Sequence, residues 1–323
     1  MSVDLPIYQI SIGHIFFNVG HFGIANYILG GFQDFVSAEK DSQREYVVSA
    51  LREDLDAANF NIVLSSEHFS SRLLTQGCVD SLSELLSGYD CSIVCYVRRQ
   101  DEMILGGYST AVYYGRREKL SIDEAWAGNP YFDYMQFLPL WENAFGKENI
   151  IVRKYGRSED GEWDIRRDFL EVLNVPIELP EEGLVENASL DFAEVETLRL
   201  INQSLPSFSS DNRLAFERAQ VVRGLIRPFL PTGKPLRSLL SWREAKSIMD
   251  RFADSNAELE RRYMVPGALA DWASFATAKR TSRDRRAASR SSQTLSDLAA
   301  MIAALGEELR QVVESRETSR GNS

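Results

Sequence analysis

Two arginines, Arg98 and Arg99, stand directly behind the apolar run Ile93-Val-Cys-Tyr-Val97. β-Branched and aromatic residues in a short continuous run predict a buried strand of a parallel sheet. Met103, Ile104 and Leu105 then start a helix, with Gln100 or Asp101 near its N-cap. Ligands of open α/β sheets bind beyond the carboxyl ends of the strands. Guanidinium forks beside the free N–H groups of a helix start attract an anion, so this stretch offers phosphate binding. A second polar cluster, Ser65-Ser-Glu-His68, closes the apolar run Ile62-Val-Leu64. If the two strands are neighbours, Glu67 and His68 lie beside Arg98, where a carboxylate or imidazole can deprotonate a hydroxyl nucleophile. In the alternative reading Ser65 or Ser66 caps the next helix and Glu67 is its first-turn acid. The sequence leaves both open.

The remaining reactive side chains carry less. His14 and His21, in the glycine-spaced segment Ile7–Gly31, read either as ligands or acids or as capping, partly buried histidines. That segment has no lysine and no GxxxxGK[ST] pattern, so it lacks the usual cation for a β- or γ-type phosphate. Cys78, Cys91 and Cys95 are odd in number, form no CxxC pair and have no histidine cluster beside them. They read as buried free thiols, and no metal is assigned.

The elements that must position these residues follow from periodicity. Helices are predicted over Asp41–Ala58, Leu73–Gly88, Asp101–Tyr113, Leu120–Trp126, Tyr131–Phe145 and Asp164–Leu173, with a third strand at Ile150–Tyr155. Strands alternating with helices predict an α/β fold, a three-layer parallel sheet flanked by helices. Beyond Val175 the reading is a connector at Pro176–Glu186, helices at Asp191–Ser204 and Asn212–Leu225, a proline-punctuated loop from Arg227 to Pro235, and a helix or helix pair at Trp242–Tyr263. Arg223, Arg227, Lys234 and Arg237 face an acidic glycan in one reading and solvent in the other.

The chain of 323 residues carries a net charge of -11, which disfavours general nucleic-acid binding and confines any anion site to a local basic pocket. No apolar run is long enough to span a bilayer, and no basic, then apolar leader opens the chain, so the expected compartment is cytoplasmic. Residues 1–275 read as the α/β domain and 276–293 as a basic, serine-rich, disordered linker. Residues 294–316 carry a heptad seam of Leu295, Leu298, Ile302, Leu305, Leu309 and Val312. This C-terminal extension is either a weak self-associating coiled coil or a helix packed on its own domain.

Taken together, Ile62-Val-Leu-Ser-Ser-Glu-His-Phe69, Tyr96-Val-Arg-Arg-Gln-Asp-Glu102 with Tyr108, Phe132-Asp-Tyr134 with Trp141, Ile151-Val-Arg-Lys-Tyr155, Asp168-Phe-Leu170 and Ser255–Tyr263 resemble a bacterial branch of the sulfotransferase superfamily, over residues 15–270. The resemblance implies a P-loop-kinase-like fold. It also implies transfer of a sulfonyl group from 3′-phosphoadenosine 5′-phosphosulfate (PAPS) to a hydroxyl, often of a carbohydrate. Arg98 matches the family's 3′-phosphate arginine, and Tyr108 a kept tyrosine of the same segment. Gly106 stands where the family usually has a serine. Glu67 or His68 matches the position of a catalytic base. The family's lysine-bearing PKTGTT-like loop has no counterpart, and Gly20–Tyr27 resembles a segment that follows it, so the chain is expected to start downstream of that loop. The second reading is a non-catalytic nucleotide- or glycan-binding scaffold that oligomerises through its C-terminal helix.

Overall fold

The computed structural model describes residues 8–10, 21–30, 41–42, 44–58, 61–122, 129–156, 163–176, 190–204, 219–224, 227, 230 and 235–275. His14, Lys234, the linker 276–293 and the heptad segment 294–316 lie outside the described residues. So do most of the helix expected at Leu120–Trp126, the connector 177–186, and much of Asn212–Leu225 and of the proline-punctuated loop. The protein is a mixed α/β structure in which helix predominates and the strands pair in parallel. It divides into two compact units: Met1–Arg98, Gly128–Gly183 and Asp254–Leu269 form the first, and Arg99–Ala127, Leu184–Ala253 and Ala270–Ser323 the second.

The first unit holds the strands. β1 (Tyr8–Ile10) pairs in parallel with β2 (Asn61–Val63), Tyr8 opposite Asn61. β3 (Ile93–Val97) pairs in parallel with β4 (Ile150–Lys154), Ile93 opposite Ile150 and Val97 opposite Lys154. A parallel pair needs a long crossover. Between β1 and β2 the crossover carries α1 (Phe22–Leu29) and α2 (Arg44–Ala57), which bury Ile24, Ala25, Val47, Val48 and Leu51. A strand and then a helix therefore stand at the front of the chain, and the connection between them, 11–20, lies outside the described residues.

Several helix starts in this unit are set by polar caps. The Ser66 hydroxyl opens α3 (Glu67–Arg72) and that of Thr75 opens α4 (Gln76–Leu85). The Asp133 carboxylate, accepting the Met135 N–H at 3.1 Å, opens α6 (Tyr134–Phe145). This last helix buries Tyr134, Phe137, Leu138 and Trp141, and Trp141 stacks on Phe145. It stops at Gly146, whose φ of 89° favours glycine; a Cβ there would stand 2.8 Å from a carboxylate oxygen of Glu148. After β4, α7 (Ile165–Val172) starts at Asp164 and gives way to Asn174 in the left-handed region at φ 54°. The Arg166 guanidinium and its backbone N–H hold the Asp164 carboxyl down at about 2. α10 (Ala253–Tyr263) is fixed to α6 at both ends. The Ser255 hydroxyl donates to Asp133, while Arg262 (2.7 and 3.0 Å) and the Tyr263 hydroxyl (2.6 Å) donate to the Glu142 carboxylate.

The second unit is helical among the described residues. α5 (Gln100–Tyr113) and α8 (Phe192–Ser204) share a core of Tyr108, Val112, Leu190, Val195, Leu198 and Ile201. The Asn202 amide donates at 2.8 Å to the Val112 carbonyl, which also accepts the Gly115 N–H at 3.0 Å. The run Trp242–Tyr263 is a pair of helices rather than one. α9 (Trp242–Arg251) opens on a reciprocal Ser241–Glu244 capping box and stops at Phe252. α11 (Ala270–Phe275) ends the described chain.

Candidate functional site

Arg98 leaves the carboxyl end of β3 in a main-chain setting that a single side chain closes. The buried Tyr134 hydroxyl accepts the Arg98 N–H at 2.6 Å and donates to the Arg98 carbonyl at 2.5 Å. No ladder partner would serve a strand end, so the phenol substitutes for one. The half-buried Arg98 guanidinium lies over the Tyr155 ring, 5.3 Å from its centre, and the Tyr155 N–H donates to the Val97 carbonyl at 2.7 Å. A cation over a phenol face is favoured by the ring quadrupole, and the planar guanidinium fits such a surface better than an ammonium does.

The other arginine is spent locally. Arg99 makes a two-point pair with Asp101, at 2.8 and 3.0 Å. Asp101 and Glu102 fill the first turn of α5 with negative charge. These acids satisfy the helix dipole themselves and repel an added anion there. Burial outweighs the Arg99 contact and raises the Asp101 carboxyl above its ordinary value. Arg99 and the start of α5 are thus engaged within the chain itself.

Ser66 takes the capping role: its hydroxyl accepts the His68 N–H at 3.2 Å. Glu67 is exposed at the first position of α3, and its carbonyl accepts the hydroxyls of Ser70 and Ser71. Capping does not consume its carboxylate. The His68 ring lies 6.2 Å from that of Phe22, tilted by 52°. Glu67 and Arg98 meet electrostatically at Tyr131, on the 3-10 turn Pro130–Phe132. Burial pushes the Tyr131 phenol up, the Glu67 carboxylate adds to that rise, and the Arg98 guanidinium opposes it. Glu67 and Arg98 thus act with opposite sign on the same phenol.

His21 does structural work. Its Nδ1 accepts the Ser65 N–H at 3.0 Å while its own backbone N–H donates to the Ser65 carbonyl at 2.8 Å. Nδ1 also lies 3.2 Å from the Ser65 carbonyl oxygen, and the start of α1 is tied to the exit of β2. The three cysteines are free and half-buried. Burial pushes the Cys95 thiol up to about 12, which removes thiolate chemistry from β3. No group of three or more metal-ligating side chains occurs among the described residues.

Gly106 and Tyr108 belong to the second unit, both on α5. A Cβ at Gly106 would meet nothing within 4 Å. Tyr108 is buried in the core; its hydroxyl donates to the Glu118 carbonyl at 3.3 Å, and burial, then Glu196, pushes it up to about 12.

A second set of residues supports the strand end. Asp168 on α7 accepts from Arg153 on β4 at 2.5 and 3.1 Å and from the Tyr96 hydroxyl on β3 at 2.6 Å. Burial works against the charged form, but these donors win and hold the carboxyl below its ordinary range. A depressed folded-state value means that the stabilisation is complete above the unfolded value of about 3.9 and is lost as pH falls through the folded value. Urea midpoints of wild type and Asp168→Asn are expected to differ clearly at pH 7 and to converge below about pH 3. Equal midpoints at pH 7 would rule this coupling out.

Tyr131, Tyr134 and Tyr155 escaped the sequence reading as site residues. Tyr155 carried the one signal that could have found it, an aromatic placed directly after a strand with a basic end.

No family model matches the chain, and no solved structure matches it. An uncharacterized protein of Archaeoglobus fulgidus is 30% identical over 206 residues, which cover 62% of this chain and 53% of the relative. The chain thus spans about half the length of the curated relative it matches.

Proposed function

We propose that this chain is a sulfotransferase-like protein that binds an adenosine 3′-phosphate 5′-phosphosulfate donor and transfers its sulfonyl group to a carbohydrate hydroxyl. The observation that carries this reading is Arg98 at the carboxyl end of a parallel pair, main chain closed by Tyr134, with the Glu67 carboxylate acting on the same neighbouring phenol. A fork-shaped cation at a strand end suits a phosphate dianion. In this reading the two parallel strand pairs belong to a single sheet between helical layers, and Gly106 and Tyr108 belong to the nucleotide segment by resemblance. Glu67 takes the proton of the acceptor hydroxyl as its oxygen bonds to sulfur. The bond between sulfur and the bridging oxygen breaks, and its electron pair leaves on the phosphate. His68 is the alternative base. Arg98 holds the 3′-phosphate and keeps the donor in register.

Calorimetric titration with adenosine 3′,5′-bisphosphate tests the reading. Wild type is expected to bind it, and absence of any heat in wild type would overturn the proposal. Glu67→Gln is expected to bind with unchanged affinity and to lose at least about a hundredfold in transfer rate, the usual worth of a general base. Unchanged turnover in that variant would move the base to another residue.

A further inference from the structure

A cavity of about 220 Å³ lies at the amino ends of β3 and β4, the opposite end of these strands from Arg98, and every residue that lines it belongs to the first unit. Two helices end in its wall. Leu86 and Ser87 follow the last residue of α4, and Ala144 and Phe145 close α6. A helix C-terminus carries partial negative charge, which a basic residue in the last turn offsets. Neither α4 nor α6 has a basic residue there.

The hydrogen-bonding chemistry of the wall is one-sided. Ser83 donates to the Ala144 carbonyl at 3.1 Å, and the Asn149 amide donates to the Phe145 carbonyl at 2.8 Å. The Tyr89 hydroxyl donates to Asp56 at 2.5 Å and the Cys91 thiol to the Tyr89 carbonyl at 3.6 Å. These donors are spent inside the protein, so the wall offers chiefly acceptors: hydroxyl lone pairs, the Asn149 side-chain carbonyl and the Asp90 carboxylate. Asp90 is the one charged side chain that lines the cavity, and its carboxylate takes no hydrogen bond or ion pair among the described residues. Burial and then Asp90 push the Cys91 thiol above its ordinary value, so it adds no second negative charge.

We propose that this cavity binds the ammonium group of a primary alkylamine, with Asp90 as counter-ion and Asn149 as a neutral acceptor. An ammonium brings three donors and no acceptor, the complement of this wall. The alkyl stem has Leu86 and the Tyr89 ring to lie on, and that ring is 39% exposed. A bare divalent metal ion fits less well, because such ions gather several carboxylate and carbonyl oxygens and this wall holds one carboxylate. The site shares no residue with the donor-binding reading and stands or falls apart from it.

Nuclear magnetic resonance titration of the full chain with butylammonium and with butan-1-ol, the same stem without the charge, tests it. The amide signals of Ser87, Tyr89, Asp90, Cys91 and Asn149 are expected to shift saturably with butylammonium and to stay in place with butan-1-ol. Asp90→Asn is expected to weaken the ammonium at least about tenfold. Glu171→Gln, which removes an exposed carboxylate of α7 outside the wall, is expected to leave it unchanged. Equal weakening in both variants would mean attraction to the net negative charge alone and would overturn the site. So would an equal response to butan-1-ol, a comparison that needs no substitution, or no saturable shift at these residues. Putrescine and Nα-acetyl-lysine amide, titrated in the same way, separate a free diamine from a lysine side chain: the tighter one names the source, and binding of neither overturns the proposal.

Discussion

Replacing Arg98 by alanine is expected to weaken adenosine 3′,5′-bisphosphate about a hundredfold without unfolding the protein. The affinity loss follows from the chemistry of the fork. A hydrogen bond to a charged group is worth about 1.5–3 kcal/mol, and a guanidinium offers two in parallel to a phosphate. Loss of about 2.7 kcal/mol is already a factor of 100. The fold should survive because the contacts that hold residue 98 in place are made by its main chain: Tyr134 binds the backbone N–H and carbonyl, which alanine keeps. Among the contacts alanine gives up is the one over Tyr155, worth about 0.5–1 kcal/mol at a partly exposed site. Arg98→Lys should fall between, about tenfold weaker than wild type, because the charge stays and the planar fork goes. Calorimetry on the three proteins reads this directly. Equal affinity in wild type and Arg98→Ala would remove Arg98 from the site.

The second large effect is expected at Tyr134. Tyr134→Phe keeps the ring, its packing against Phe137 and the helix it belongs to. It deletes one oxygen that is both donor and acceptor to a main-chain peptide. The Arg98 N–H and carbonyl then lose their partner in a place where the phenol itself is 3% exposed. Leaving buried backbone groups unsatisfied costs about 1–3 kcal/mol each, so destabilisation of about 2–4 kcal/mol is expected. That is large beside the 5–15 kcal/mol that ordinarily separates folded from unfolded chains. Urea unfolding followed by tryptophan fluorescence measures it. A change below about 0.5 kcal/mol, the range of neutral surface substitutions, would show that water replaces the hydroxyl and that the strand end is not closed by Tyr134. Since the same bonds orient Arg98, the variant should also bind the bisphosphate more weakly than wild type at temperatures where both are folded.

Much of the local architecture was legible from the sequence. Ile93–Val97 and Ile150–Lys154 are strands, and they pair in parallel as alternation with helices implies. Asp164 and Asn174 bound α7 where the cap and stop signals lie, and Trp242–Tyr263 resolves as the helix pair that was one of two options. The least legible region was the front. A glycine-spaced segment without a charged anchor gave little sign that Tyr8–Ile10 would pair with Asn61–Val63, because a three-residue strand has too few side chains to show a period.

By itself the sequence determined that Ile93–Val97 and Ile150–Lys154 are strands alternating with helices, where α7 begins and ends, and that an arginine pair leaves the sheet at residues 98 and 99. Those features depend on periodicity, caps and turn residues within a few positions of one another, and such signals are local. The tertiary structure decided the surroundings of the two arginines: Asp101 takes Arg99, while Tyr134 and Tyr155 lie against Arg98. It also decided that Ser66 caps its helix and leaves the Glu67 carboxylate, and that Glu67 and Arg98 act on one phenol. Partners such as Tyr134 and Asp168 lie 36 and 72 residues from the strand groups they bind. No local pattern encodes a pairing at that separation. Packing of the helices on the strands brings these groups together and so determines the chemistry of the strand end.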